Sequence, residues 1–268
     1  MAELLITSPS NPRLKALVAL RRRRTREEQG ATVVEGHDEL ALAMEAGVVP
    51  EVVFHCPELM LDAEVQGALV RRARALGAST IQLSRAVFEK VAYREGPDGV
   101  LAIVPSAGTA LADLHLPEDA LVLLCEGLEK PGNLGAILRT ADAAGVAAVV
   151  AADPVTDWGN PNVVRASKGT VFSVPVASGS LGEVLAWTAA HGIRVVATTP
   201  DTTTLHTDVD YRGRVAVAIG TEKYGLSDQA LAAAHERVRI PMRGVVNSLN
   251  AATAAAVVLY EAVRQRGA

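Results

Sequence analysis

The sequence predicts an α/β protein whose second, larger domain carries a parallel sheet. Apolar runs short enough for buried strands recur at 120–125, 147–152, 194–199 and 215–220. Stretches with helical spacing separate them, and that alternation produces parallel strands covered by helices. Loops rich in Gly, Pro and Asn follow several of these runs, at the strand ends where α/β proteins bind ligands. With 268 residues, 49% of them hydrophobic, the chain can bury one large or two modest cores.

The chain opens with turn chemistry at 7–12, TSPSNP, where Pro12 suits the first position of a helix. That helix is read as running on through Arg13 and Lys15 to Arg21, Arg22, Arg23, Arg24 and Arg26. Four consecutive arginines cover every face of a helix, so one acidic strip cannot pair them all. Two readings stay open: a solvated basic helix tied to Glu27 and Glu28, or contacts to nucleic-acid phosphates. Strand patterns follow at 31–35, 51–54, 79–83 and 100–104, and helical ones at 37–46, 62–76 and 84–92. Their short connections describe a small α/β unit. His37 and His55 have no partner in the pattern and read as structural or surface residues. Small polar residues at 105–109 make the best linker, giving a first domain over 1–109 and a second over 110–268.

The second domain is organised around LVLLCEGLEKPGNLGAILR at 121–139. A buried strand ends at Glu126, a broken loop follows, and a helix is expected near Asn133, whose side-chain oxygen suits an N-cap. Gly135 allows close approach, and Arg139 lies roughly one and a half turns further on. After the strand at 147–152, the loop WGNPN feeds a helix containing Arg165, Ser167 and Lys168. On such a helix Arg165 and Lys168 share a face, which either an anion or plain solvation accommodates. Residues 171–176 read as strand, 181–191 as helix and 194–199 as strand. The strand at 215–220 runs into TEKYGLS, where Ser227 can cap the next helix. A last short strand at 237–240 precedes a long, uncharged helix starting near Asn247.

A net charge of −4 gives no global attraction to nucleic acid, so any such attraction must be local. Cys56 and Cys125 lack metal-site spacing and read as buried thiols in a reducing cytosol; no metal is expected. The acidic start Met1-Ala2-Glu3 has no apolar h-region and no run of about 18 apolar residues occurs, so a cytoplasmic protein outside the membrane is expected.

Three loops at the carboxyl ends of predicted strands now line up: NLGAILR at Asn133, IGTEKYGLS at Ile219 and IPMRGVVNSLN at Ile240. In this order they resemble the three motifs of the SpoU/TrmH family of RNA 2′-O-ribose methyltransferases, within the SPOUT class. The likeness covers roughly residues 120–265. Through TSPSNPRLK, VVEG and its strand order, the N-terminal part is similar to the small α/β substrate-binding domain of many ribosomal-RNA members. The resemblance implies a parallel sheet tied in a deep trefoil knot, a homodimer through the catalytic domain, and S-adenosylmethionine held in the knot. It places Thr198, Thr199, Gly220, Ile240, Met242 and Leu249 around the cofactor, and Asn133, Arg139, Glu222, Ser248 and Asn250 in the catalytic constellation. With an RNA substrate implied, Arg21, Arg22, Arg23, Arg24, Arg165 and Lys168 become the expected RNA contacts.

Methyl transfer from a sulfonium to a ribose hydroxyl needs alignment, a dry site and help with the hydroxyl proton. The three motifs contain no histidine, and Glu222 is the carboxylate of the second. Arginine stays protonated, so Arg139 is read as binding a phosphate and easing a developing alkoxide rather than as a simple base. Asn133 and Asn250 then position the ribose and the loops, while Glu222 and Ser248 fix the motif geometry. The appended N-terminal domain favours ribosomal RNA; the alternatives are transfer RNA or a non-catalytic RNA-binding assembly factor. A nucleotide-dependent oxidoreductase is disfavoured, because Gly127, Gly132 and Gly135 do not follow GxGxxG spacing.

Overall fold

The computed structural model describes residues 4–267, so Met1-Ala2-Glu3 lie outside the described residues. Residues up to 107 group with 157–173 as one unit, and 108–156 with 174 onward as the other.

The first unit runs through β1 (Leu4–Ile6), α1 (Pro12–Ala19), α2 (Arg23–Gln29), β2 (Ala31–Glu35), α3 (His37–Glu45), β3 (Val52–His55), α4 (Ala63–Ala75), β4 (Ser79–Leu83), α5 (Arg85–Val91) and β5 (Val100–Pro105). The sheet order is β1-β4-β3-β5-β2. β4 is parallel to β1 and β3, whereas β5 is antiparallel to β3 and β2. Leu14, Leu17, Leu20, Phe54, Phe88 and Leu101 lie in its core. Asn11 caps α1 by accepting from the Arg13 N–H at 2.9 Å, with Pro12 in the first turn as its fixed φ favours.

The basic stretch is two helices, not one. α1 stops at Ala19 and α2 restarts at Arg23, so Arg21 and Arg22 sit in the intervening turn. Burial of Leu20 and Arg26 explains the break. The carbonyls of Leu20 and Arg21, which a continuous helix would use internally, accept instead from the Arg26 guanidinium at 2.9 Å. The same guanidinium donates to both Asp157 carboxylate oxygens, at 3.0 and 2.5 Å. β1 is an edge strand that the sequence pattern does not reveal, being three residues long.

The segment 157–173 contributes α7 (Pro161–Ala166), which ends before the expected Ser167 and Lys168. Lys168 takes φ +56° and Gly169 φ +85°, a left-handed turn. Arg165 and Lys168 therefore do not share a helix face, and the expected strand at 171–176 is replaced by turns over most of its length, with strand only from Val176.

In the second unit, β6 (Leu121–Glu126), α6 (Pro131–Ala143), β7 (Ala148–Ala152), β8 (Val176–Gly179), α8 (Leu181–Ala190), β9 (Arg194–Thr198), β10 (Val215–Ile219), α9 (Asp228–Ala233), β11 (Glu236–Val238) and α10 (Ala251–Arg266) build one parallel sheet and its helices. The sheet order is β11-β9-β10-β6-β7-β8, with every neighbouring pair parallel. β7 and β10 are buried along their whole length, hence their continuous Val, Ala and Ile. Because all six strands point one way, the loops after β6, β9, β10 and β11 leave from one edge. α6 begins two residues earlier than expected, since Pro131 is preorganised for a first turn, and Asn133 lies inside the helix rather than at its cap. α10 starts at Ala251 behind the cap Asn250, and its C-terminal part is charged, with Glu261, Arg264 and Arg266. Cys56 and Cys125 are free and buried, and burial pushes the Cys125 thiol up to about 12.

Arg26 is 3% exposed, so its charge depends on Asp157. Asp157→Ala is expected to lower the unfolding free energy by about 3 kcal/mol in urea titrations, as for a buried ion left without its partner; a decrease below about 1 kcal/mol would show that the pair is dispensable.

Candidate active site

The strand ends of the second unit present three loops, and one carboxylate joins them. Glu222 Oε1 accepts from the Asn133 side-chain amide at 2.7 Å and from that of Asn250 at 2.8 Å. The Asn250 amide also donates to Asn133 Oδ1 at 3.1 Å. Lys130 Nζ donates to the other oxygen, Oε2. The Lys130 ammonium, followed by the Asn133 amide, holds the Glu222 carboxyl below its usual range. Asn250 serves twice, because its Oδ1 accepts from the Ala252 N–H at 3.0 Å and starts α10.

Glu222 is aimed by a closed turn. Thr221 and Gly225 exchange backbone bonds at 3.0 and 2.9 Å, with Gly225 at φ +68°. The turn folds so closely over Gly220 that a Cβ there would overlap the backbone of Gly225 and Leu226. Only glycine satisfies that approach. Glu126, at the end of β6, accepts from the Ser227 N–H at 3.0 Å, and Ser227 Oγ caps α9 through the Ala230 N–H at 3.2 Å. The first and second loops are thus tied twice.

Beside this cluster lies a cavity of about 720 Å³. Thr198, Thr199, Gly220, Ile240, Met242 and Leu249 all line it, as do Glu222 and Ser248. The Thr198 hydroxyl donates to the Ala218 carbonyl at 2.9 Å, and the Asp201 N–H donates to Thr199 Oγ1 at 3.2 Å, which fixes the polar rim. Ile240, Met242 and Leu249 supply an apolar wall.

Arg139 is not part of the hydrogen-bonded cluster. It is exposed, makes no side-chain hydrogen bond or ion pair among the described residues, and lies on α6 about 9 Å along the axis from Asn133 on another side of the helix. Ser248 is exposed at the cavity wall. The first unit's cations differ among themselves. Arg21 donates to the carbonyls of Val91 and Ala92 at 3.0 and 3.1 Å and covers the Tyr93 ring at 4.5 Å. Arg23 and Arg24 pair with Glu27 and Glu28 at 2.7 Å, while exposed Arg22 has no side-chain partner among the described residues. Arg165 contacts Asn162 at 3.4 Å, and Lys168 lies 3.8 Å from Glu39. Lys130, Glu126 and Thr221 do not stand out in the sequence. Lys130, three residues before the first motif, carries a signal only in the charge opposite Glu222.

The SpoU rRNA Methylase family matches residues 120–260. This chain belongs to that family. An MRM3-like substrate binding domain matches residues 11–102. A 23S rRNA uridine 2′-O-methyltransferase of Streptomyces viridochromogenes is 35% identical over 94% of this chain and 88% of its own. The AdoMet-bound crystal structure of an rRNA methyltransferase from Sinorhizobium meliloti is similar at TM-score 0.87 and 30% identity, covering 97% of both chains. A tRNA guanosine 2′-O-methyltransferase of Thermus thermophilus is 41% identical, over 54% of this chain and 75% of its own. SpoU methylases use S-adenosylmethionine, and the cavity fits it: the apolar wall suits the adenosine and methylene groups, and the rim of Thr198, Thr199 and Asp201 suits the polar ends.

Glu222 has a lowered pKa in the folded chain, so its stabilising bonds are complete above its ordinary value of 4.5 and are lost as pH falls through the lower folded value. The stability difference between wild type and Glu222→Gln, read by urea titration, is expected to be flat above pH 4.5 and to shrink below it. A difference that grows as pH falls would contradict the charged hub.

Proposed function

We propose that this chain transfers a methyl group from S-adenosylmethionine to a ribose 2′-hydroxyl of ribosomal RNA. The observation that carries the reading is the interlock of Asn133, Glu222 and Asn250 beside the cavity lined by Thr198, Thr199, Gly220, Ile240, Met242 and Leu249. Ribosomal rather than transfer RNA is supported by the extent of the likeness: the ribosomal-RNA relative matches through both units, the transfer-RNA relative over about half of the chain.

When bound, S-adenosylmethionine supplies an electrophilic methyl group. In this reading Glu222, kept ionised by Lys130 and Asn133, locks the three loops so that the two asparagine side chains meet the ribose in fixed geometry. Ser248 completes the wall on the third loop. Arg139, whose guanidinium has no partner among the described residues, binds the adjoining phosphate and stabilises charge developing on the 2′-oxygen. Arg22, Arg23, Arg24, Arg165 and Lys168 take the RNA backbone; the exposed pairs of Arg23 and Arg24 exchange their carboxylates for phosphate at little cost. Arg21 serves mainly to hold the turn that presents them.

The same reading includes a trefoil knot and a homodimer. The knot is supported by the entry of β10 between β9 and β6 and by the return of the segment after β11 to the same cavity. The dimer is supported by the exposed apolar side chains Val245, Val246 and Tyr260 on and before α10. The reading also has the protein act in the cytoplasm, supported by its likeness to bacterial ribosomal-RNA methyltransferases.

Purified protein incubated with methyl-labelled cofactor is expected to label unmodified ribosomal RNA in preference to transfer RNA; the reverse preference would reassign the substrate. Arg139→Ala should cut turnover roughly 100-fold or more while cofactor affinity stays unchanged, and equal activity would remove Arg139 from the mechanism. Replacing Arg22, Arg23 and Arg24 by Gln should weaken RNA binding and flatten its salt dependence, by about 0.7 in slope for each phosphate that is no longer neutralised. An unchanged slope would return these side chains to solvent.

A further inference from the structure

The chemistry above leaves Tyr224 without a task. It lines the rim of the cavity, yet it is 77% exposed. The loop that carries it is a closed turn: Thr221 and Gly225 are cross-bonded, and the Tyr224 N–H donates to Thr221 Oγ1 at 3.0 Å. The ammonium of Lys223 stands 4.7 Å from the ring centroid. One face of the ring is thereby covered by a cation, and so large an exposure requires the other face to be open.

We infer that Tyr224 and Lys223 form a nucleobase subsite at the cavity mouth. The unstacked base of the nucleotide being methylated lies on the open face of Tyr224, and the Lys223 ammonium faces an RNA phosphate. This rests on the methyltransferase reading and adds to it the residue that receives the base. A ribose inside a stacked helix is hard to align with a methyl donor in a cavity, and an aromatic platform replaces the stacking that the extracted base gives up. The spacing suits one nucleoside, because Tyr224 is two residues from Glu222 and their Cα atoms are at most about 7 Å apart. The closed turn strengthens the case, since a platform held in place by its own hydrogen bonds spends little ordering entropy on binding. Stacking alone discriminates weakly between bases, so the subsite captures an extracted base while base identity is set elsewhere.

The test is steady-state methyl transfer to ribosomal RNA, with cofactor affinity measured by calorimetry on the same preparations. Tyr224→Ala is expected to raise the RNA KM roughly tenfold to a hundredfold with the cofactor Kd unchanged, and Tyr224→Phe to stay within about threefold of wild type. Tyr224→Trp adds an exposed emitter to the buried Trp158 and Trp187, and its fluorescence is expected to be quenched by RNA. An unchanged RNA KM in Tyr224→Ala, with the wild type active, overturns the subsite alone. A cofactor Kd that loosens by the same factor as KM would make Tyr224 a wall of the cofactor cavity and overturn the subsite. Emission from Tyr224→Trp that follows protein concentration and ignores RNA would make it a subunit contact instead. An inactive wild type would overturn the methyltransferase reading and this inference with it.

Discussion

A carboxylate that accepts from two asparagines at once can be satisfied in only one arrangement of the loops that bring them. In this chain the two bonds to Glu222 Oε1 join segments separated by 89 and 28 residues. Lys130 occupies the other oxygen, so the carboxylate is paired rather than merely solvated. Everything else in the second unit serves this junction. The parallel sheet brings the loop ends to one edge, Gly220 lets the second loop fold back on itself, and Glu126 ties that loop to the end of β6. The surrounding bonds are worth little singly in water-exposed settings, but each removes freedom from a loop whose position the site needs.

Much of this is legible in the residues. Apolar runs locate β6 and β10 closely, because a strand buried on both faces has little choice but Val, Ile, Leu and Ala, and β4 is legible from the alternation of its buried Ile81 and Leu83 with less buried neighbours. Asn133, Glu222 and Asn250 are legible through the resemblance of their three loops to the family's motifs, although their mutual bonds depend on a fold that spacing cannot give. The local errors arise where tertiary pairing or a special backbone conformation overrides the local pattern. Asn133 has the chemistry of a cap, whereas Pro131 sets the helix start and frees the side chain for Glu222. The arginine run reads as one helix because nothing local shows that Arg26 turns inward to Asp157, 131 residues away. Lys168 continues a helical pattern that its left-handed backbone excludes.

Arginine content alone is a poor guide to nucleic-acid contact for the same reason. Of five arginines within six positions, Arg26 is a buried structural ion, Arg21 is exposed but engaged with the carbonyls at the end of α5, and Arg22, Arg23 and Arg24 are presented to solvent. With a net charge of −4 on the chain, the attraction for RNA has to be carried by such local groups, and the turn that separates α1 from α2 decides which cations those are.

The central claim is that this geometry methylates a ribose oxygen and not a base. The most direct measurement is alkaline hydrolysis of RNA labelled by the purified protein. A methylated 2′-oxygen cannot attack the neighbouring phosphate, so label on the ribose is expected in an alkali-resistant dinucleotide. Label released in mononucleotides would place the methyl group on a base and contradict the role assigned to Asn133, Glu222, Asn250 and Arg139.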